Sequence, residues 1–205
     1  MNNDSDVQDA RQDFIQSSID EAHLQILRST VTGFIHQLGL NLDREGLRVL
    51  DIAPESHKGA AGSFTRANVE TLDIDAESGA THIADLCECN CRSVSSGCYD
   101  LVICTEVLEH TKHPWRAMKE ISRLLKPNGL VAITTPFNFR IHGPAPDCWR
   151  FTEDGLRVLL ENFNAVEINE IEDSDRPRMP IQYTALASKG ANGIFECWDL
   201  RHAKN

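Results

Sequence analysis

The chain has 205 residues, 41% of them hydrophobic and 25% charged, and a formal net charge of −11. That length fills one well-buried domain and is short for two, and the composition is that of a globular protein. An acidic surface repels phosphate backbones, so no nucleic-acid partner is expected. No apolar run of about 18 residues exists, so no membrane span is expected either.

The opening residues, MNNDSDVQDARQD, have neither the basic start nor the apolar core of a secretory signal. The seven cysteines therefore read as mostly reduced thiols and the protein as cytoplasmic. The first six residues or so are expected to be unstructured. Leu24, Leu27, Val31, Phe34, Ile35 and Leu38 then recur at three- and four-residue spacing, the apolar stripe of a helix. Phe14, Ile15 and Ile19 suggest a similar stripe just before it. Residues 1–46 read as a helical N-terminal extension, 47–190 as the main domain and 191–205 as a tail.

Short apolar runs follow, as expected of buried parallel strands: LRVLDIA (47–53), VETLDID (69–75), THIADL (81–86), YDLVICTEV (99–107) and GLVAITTPF (129–137). Between the last two, Trp115, Met118, Ile121, Leu124 and Leu125 form a helical stripe closed by the turn Lys126-Pro127-Asn128-Gly129. Thr152 is a good N-cap, with Glu153 and Asp154 in the first turn behind it and Leu156, Leu159, Leu160 and Phe163 as the buried face. AVEINEI (165–171) and QYTALAS (182–188) read as two last strands, joined by too few residues for a crossover helix and hence antiparallel. Strands alternating with helices predict an α/β fold, a doubly wound and mostly parallel sheet. Such sheets bind ligands outside the carboxyl ends of their strands, where strand order reverses.

The residues at those ends are carboxylates: Asp51, Asp73, Asp85 and Glu106. Burying them is costly unless something uses them. One after the second strand can accept both hydroxyls of a ribose, one after the third an exocyclic amine, and one near the first can meet an ammonium group. A nucleoside carrying an amino acid has all three features. The ordered set VLDIAPES, TLDID, IADL, YDLVICTEVLEH and LLKPNGLVAITTPF resembles the successive motifs of class I S-adenosylmethionine-dependent methyltransferases, especially the group that methylates metabolites and glycans, over residues 47 to 190. The resemblance implies a Rossmann-like seven-stranded sheet with an antiparallel last strand, and S-adenosylmethionine as cofactor with S-adenosylhomocysteine as its product. It places Asp51, Ala53, Pro54 and Glu55 beside the methionine part, Asp73 at the ribose and Ile74 on the adenine. Asp85 and Leu86 border the adenine edge, and Thr105 and Glu106 run under the sulfonium region. One departure stands out: the family's first loop is glycine-rich, whereas DIAPESHKGAAG has Ala53 at the first glycine position and glycines only at 59 and 62.

Methyl transfer to a hydroxyl needs in-line approach and a base. The segment FNFRIHGPAPDCWRFT (137–152) is long for a loop and sits at the ligand edge. Its pattern resembles one found in one group of the family, and it reads as a substrate-side lid. Phe137, Phe139 and Trp149 are a candidate aromatic wall. His142 and Arg150 are further acceptor contacts. His110 and His142 are the candidate bases, with Asp147 as base or orienting partner. Each has a plainer alternative: a histidine pinning backbone, or an arginine paired with a carboxylate inside the fold.

No metal is expected. The run Cys87-Glu88-Cys89-Asn90-Cys91 lacks the two-residue gap of structural zinc sites, although alternate thiolates would suit a soft metal or a thiol or metalloid methyltransferase. The leading expectation is an enzyme that methylates a small-molecule acceptor, at an oxygen of a sugar or other hydroxylated metabolite. A non-catalytic cofactor-binding module is the alternative. The missing G-x-G-x-x-G speaks against a nicotinamide enzyme. A homodimer is left open.

Overall fold

The computed structural model describes residues 18–54 and 59–190. The expectations for residues 1–17, including Phe14 and Ile15, for Glu55 and for the tail at 191–205 lie outside the described residues. The elements run α1 (Ser18–Leu42), β1 (Arg48–Ile52), a 3-10 turn (Gly59–Gly62), β2 (Asn68–Asp73), β3 (His82–Ile83), β4 (Tyr99–Thr105), a 3-10 turn (Leu108–His110), α2 (Pro114–Leu124), β5 (Leu125–Pro136), α3 (Glu153–Leu159), β6 (Ala165–Ile171) and β7 (Gln182–Ser188).

The strands form one seven-stranded sheet in the order β3-β2-β1-β4-β5-β7-β6. The first five are mutually parallel, and β7 runs antiparallel to both β5 and β6. The doubly wound sheet with an antiparallel last strand is therefore borne out. The alternation of strand side chains divides the core. Leu101, Ile103, Leu130, Ala132 and Leu186 face α1, which lays Val31, Phe34, Ile35, Leu38 and Leu42 on them. Val102, Cys104, Val131, Ile133 and Ala185 face the other way, onto Met118, Ile121 and Leu124 of α2 and Leu156 of α3. Each leucine or isoleucine buried completely contributes about 1.5–3 kcal/mol.

Several boundaries differ from expectation. The third strand is two residues long: the Asp85 carboxylate accepts the Cys87 N–H at 2.7 Å and its carbonyl accepts the Glu88 N–H, so the chain turns instead of extending. The fifth begins at Leu125, because Tyr99 pairs with Leu125 and Leu101 with Leu130; the Lys126–Gly129 turn is a bulge within the pairing. Trp115 and Ile19 are exposed, at 55% and 63%, despite fitting an apolar spacing. Pro114, not Trp115, is the buried residue at the start of α2, while Met118, Ile121 and Leu124 are buried as expected. Thr152 does cap α3, accepting the Gly155 N–H at 3.1 Å.

α1 approaches the rest closely at Gly39, where a Cβ would lie 2.4 Å from the Ser63 carbonyl oxygen. Its first turns reach across to the 137–152 segment: His23 Nδ1 lies 3.0 Å from the Asn138 carbonyl, and Arg140 pairs with Asp20 at 3.2 Å. The N-terminal helix thus packs on the sheet and also braces the 137–152 segment.

Candidate functional site

Strand order reverses between β1 and β4, and the pairing registers bring the carboxyl ends of β1, β2, β3 and β4 to one edge. The chain leaves β1 at Ala53 with φ +47° and leaves β4 at Glu106 with φ +53°. Both are left-handed positions that favour glycine. Ala53 is tied by its N–H to the Leu72 carbonyl at 2.7 Å, and Glu106 by its N–H to the Thr134 carbonyl at 3.0 Å. The sharp turn that a glycine would make at position 53 is therefore present with alanine in it.

Asp51, 2% exposed, accepts the Ala60 N–H at 2.7 Å. Burial pushes its carboxyl up to about 6, partly offset by that bond. A Cβ on Gly59 would meet Asp51 Oδ2 at 2.2 Å, on a backbone at φ +44°. The later glycine of the first loop thus lets the chain fold back over Asp51. Asp73 caps its own turn through the Asp75 N–H at 2.9 Å, and beside it Ile74 is 70% exposed. Asp85 is exposed at the start of its turn and Leu86 is buried. Glu106 accepts from Thr134 Oγ1 at 2.8 Å and Gln182 Nε2 at 2.7 Å, so its side chain braces β5 and β7. Pro54 and Thr105 are half-buried at the same edge.

The 137–152 segment is fastened to the turn after β4. The Glu109 carbonyl accepts the N–H groups of Cys148 (2.7 Å) and Trp149 (3.2 Å), and the Trp149 indole donates to the Thr111 carbonyl at 2.8 Å. His110 Nδ1 lies 3.0 Å from the Pro146 carbonyl. His142 Nδ1 lies 3.1 Å from Asp147 Oδ2 and 3.3 Å from the Arg140 carbonyl. Those partners only accept, so in each neutral ring Nδ1 carries the proton and Nε2 the lone pair. The rings meet edge to face at 4.8 Å. Burial lowers the His142 pKa, with Asp147 opposing. Arg150 grips Asp147 with both terminal nitrogens and donates to the Arg140 and Trp149 carbonyls. Burial would raise the Asp147 carboxyl, but the Arg150 bonds outweigh it and hold it at about 2.

Of the predicted residues, His110, His142, Asp147, Arg150 and Phe139 come together; Phe139 packs on His142 at 5.2 Å. The expected aromatic wall does not form as one surface. Phe137 packs on Tyr183, while Trp149 stands between Trp115 and Phe151. The cysteines at 87, 89 and 91 are free thiols, and among the described residues no three cysteines gather as metal ligands. A separate cavity of about 520 Å³, lined by Glu153, Asp154, Glu170, Asp173 and Tyr183 among others, contains none of the predicted residues.

One residue of this edge was not anticipated. Glu109 is completely buried, and both its carboxylate oxygens are without a hydrogen-bond partner; its own amide does not reach bonding geometry. Burial, and the neighbouring Glu106 charge after it, raise its pKa well above the usual range. The sequence carried only a faint signal, an acid inside the apolar stretch Val107-Leu108 before a candidate histidine.

Residues 23–170 match a family model described as a methyltransferase domain. The chain belongs to the class I S-adenosylmethionine-dependent methyltransferases. Like this methyltransferase in fold are a SAM-dependent methyltransferase from Archaeoglobus fulgidus (15% identical, covering 78% of this chain and 94% of that one, TM-score 0.59) and the CurJ carbon methyltransferase (13%, 80% and 55%, TM-score 0.61). A third is the 1,6-didemethyltoxoflavin-N1-methyltransferase of Burkholderia thailandensis, solved with 1,6-didemethyltoxoflavin and S-adenosylhomocysteine (18%, 93% and 92%, TM-score 0.59). Human thiol S-methyltransferase TMT1A is 28% identical over 85 residues, 38% of this chain; the chain spans about a third of that relative, 35%.

The edge of this methyltransferase fits the family's cofactor. Ile74 holds an apolar side chain open to solvent next to a carboxylate at the end of β2, as an adenine and its ribose require, and Ala53 makes a left-handed turn at the end of β1. Asp73 and Ile74 are the residues that would hold the nucleoside. Asp51 is committed to the loop that would cover the methionine part. Among the described residues no helix is long and apolar enough to cross a membrane.

Proposed function

We propose that this chain methylates a hydroxyl of a small-molecule acceptor, a sugar or another hydroxylated metabolite, at the edge covered by the 137–152 lid. The observation that carries this reading is the pair His110 and His142, each with Nδ1 pinned to an acceptor and Nε2 left with its lone pair. A base is of use to an oxygen acceptor and of little use to an already nucleophilic amine. When bound, S-adenosylmethionine supplies a methyl group already activated by its sulfonium, which becomes a thioether as the C–S electron pair moves to sulfur. The work left to the chain is to bind, to orient and to take a proton. Asp147, fixed by Arg150, orients His142 and would stabilise its protonated form. The lid, tied down at Glu109 and Thr111, would exclude water from the acceptor.

A thiol acceptor is the second reading, favoured by the stretch similar to human thiol S-methyltransferase TMT1A. The test is calorimetric titration with S-adenosylhomocysteine, then turnover on a panel of hydroxylated and thiol acceptors. Asp73→Ala is expected to weaken product binding at least tenfold. His142→Asn and His110→Ala are expected to keep that binding and lower turnover on hydroxyls by about 10²–10⁴. Turnover on a hydroxyl acceptor that is indifferent to both histidines would refute the reading; product binding with no turnover on any acceptor would favour a non-catalytic module.

A further inference from the structure

Glu109 has no task in the reading above. A carboxylate taken wholly out of water and given no donor is expensive, yet this one stands beside two imidazoles. Its Oε1 lies 3.9 Å from His110 Nε2. One ligand atom from each of Glu109, His110 and His142 falls within 4.8 Å of the other two, the one such trio among the described residues. We propose that Glu109, His110 and His142 bind a divalent first-row transition ion, zinc in the first instance.

Four observations support the site. Two imidazoles and a carboxylate, leaving positions open, are a donor set suited to such ions. Both imidazoles are oriented for it: Pro146 and Asp147 hold the Nδ1 side, so Nε2 is the atom each can offer, and the Asp147 contact is the outer-shell carboxylate that sharpens a histidine ligand. The charges that bear most on Glu109 are the carboxylates of Glu106 and Asp147 and the cation of Arg150, a balance that favours a dication. Finally, the trio is buried at one member and reachable at the others: Glu109 is 0% exposed while His110 and His142 are 14% and 23% exposed, so solvent or an acceptor can reach an ion held by the histidines. An ion bound at about 2.0–2.2 Å from each atom would draw the three to roughly 3.4 Å apart.

The ion would take over the part given above to a free imidazole. An acceptor hydroxyl in an open coordination position becomes acidic enough to lose its proton to solvent near neutral pH. That consequence rests on the reading that this edge receives the acceptor; the metal site itself does not.

The experiment uses untagged full-length protein, stripped with chelator and titrated with Zn²⁺ and, for its visible spectrum, Co²⁺. The expected result is one ion per chain by elemental analysis and a Co²⁺ absorption band. Glu109→Gln and His142→Ala should each weaken binding ten- to a hundredfold while S-adenosylhomocysteine still binds. His113→Ala, at an exposed histidine outside the trio, should change nothing. Should Glu109→Gln fail to fold, His110→Ala, on the partly exposed member, decides in its place. Binding unaffected by these substitutions, or no ion retained, overturns the site. Full methylation of a hydroxyl by chelated protein overturns the ion's part in taking the proton and leaves the imidazole base standing. Stoichiometric, substitution-sensitive metal with no hydroxyl methylated upholds the site and removes the acceptor reading instead.

Discussion

Gly59→Ala is expected to be among the most damaging single-methyl changes in the chain. The new Cβ would stand 2.2 Å from Asp51 Oδ2 and 2.8 Å from Pro54 Cβ, on a backbone at φ +44°. The left-handed conformation alone costs alanine roughly 1–2 kcal/mol. Relieving the clash moves the loop away and sacrifices the 2.7 Å bond from the Ala60 N–H to Asp51, a bond to a charged group and so about 1.5–3 kcal/mol. Together these come to about 3–5 kcal/mol, or on the order of 10 °C in Tm for a domain of this size. Thermal unfolding by circular dichroism reads the stability, and calorimetry with S-adenosylhomocysteine reads the loop, which is expected to bind at least tenfold more weakly. Gly33→Ala is the matched control: it lies in α1 with nothing within 4 Å of its Cβ, and should gain up to about 1 kcal/mol. A Gly59→Ala protein that melts within about 2 °C of the parent and binds product normally would show that Asp51 and the loop do not depend on each other as argued.

Ala53→Gly should stabilise the protein by about 0.5–1 kcal/mol, because glycine carries no penalty at φ +47°; a lowered Tm would count against the strained-turn account. Gly39→Ala should cost about 1–3 kcal/mol in urea unfolding through overpacking against Ser63, and no change in midpoint would mean α1 is free to shift. Tyr99→Phe removes the donor that meets Glu70 at 2.7 Å and should cost about 1–2 kcal/mol, checked by the same urea curves. Glu70 also sets a pH dependence. Burial would raise its carboxyl, but bonds from His82, Tyr99 and Arg48 prevail and hold it at about 2 against an ordinary 4.5. A depressed carboxylate stabilises above its unfolded value and loses that contribution as pH falls through the folded one. Tm should therefore drop more steeply for the parent than for Glu70→Gln between about pH 4.5 and 2, and parallel curves would refute the assignment.

Much of the fold was legible in local pattern. The apolar runs, the Thr152 cap and the short link between the last strands each depend on neighbours in sequence, and so does the placement of Asp51, Asp73 and Glu106 at strand ends. Boundaries failed where a side chain competed with the ladder. Asp85 turns the chain after two residues of strand, and the 126–129 turn became a bulge in a longer one. Trp115 satisfied a helical spacing yet faces out against Trp149, since periodicity does not say which of two adjacent positions meets the sheet.

The alternating α/β class, the antiparallel last strand and the family followed from the sequence by itself, because the hydrophobic period and the order of the motifs are properties of the chain read linearly. Only the tertiary structure decided what the charged residues do at that edge. It closed Gly59 on Asp51, bound Arg150 to Asp147 rather than leaving it free, and set a wholly buried Glu109 beside His110 and His142. Those outcomes depend on which side chains meet with their water removed, whether three positions apart, as Asp147 and Arg150 are, or more distant, as Glu109 and His142 are. Burial and pairing set the charge and availability of such groups, and neither quantity exists until the fold has formed.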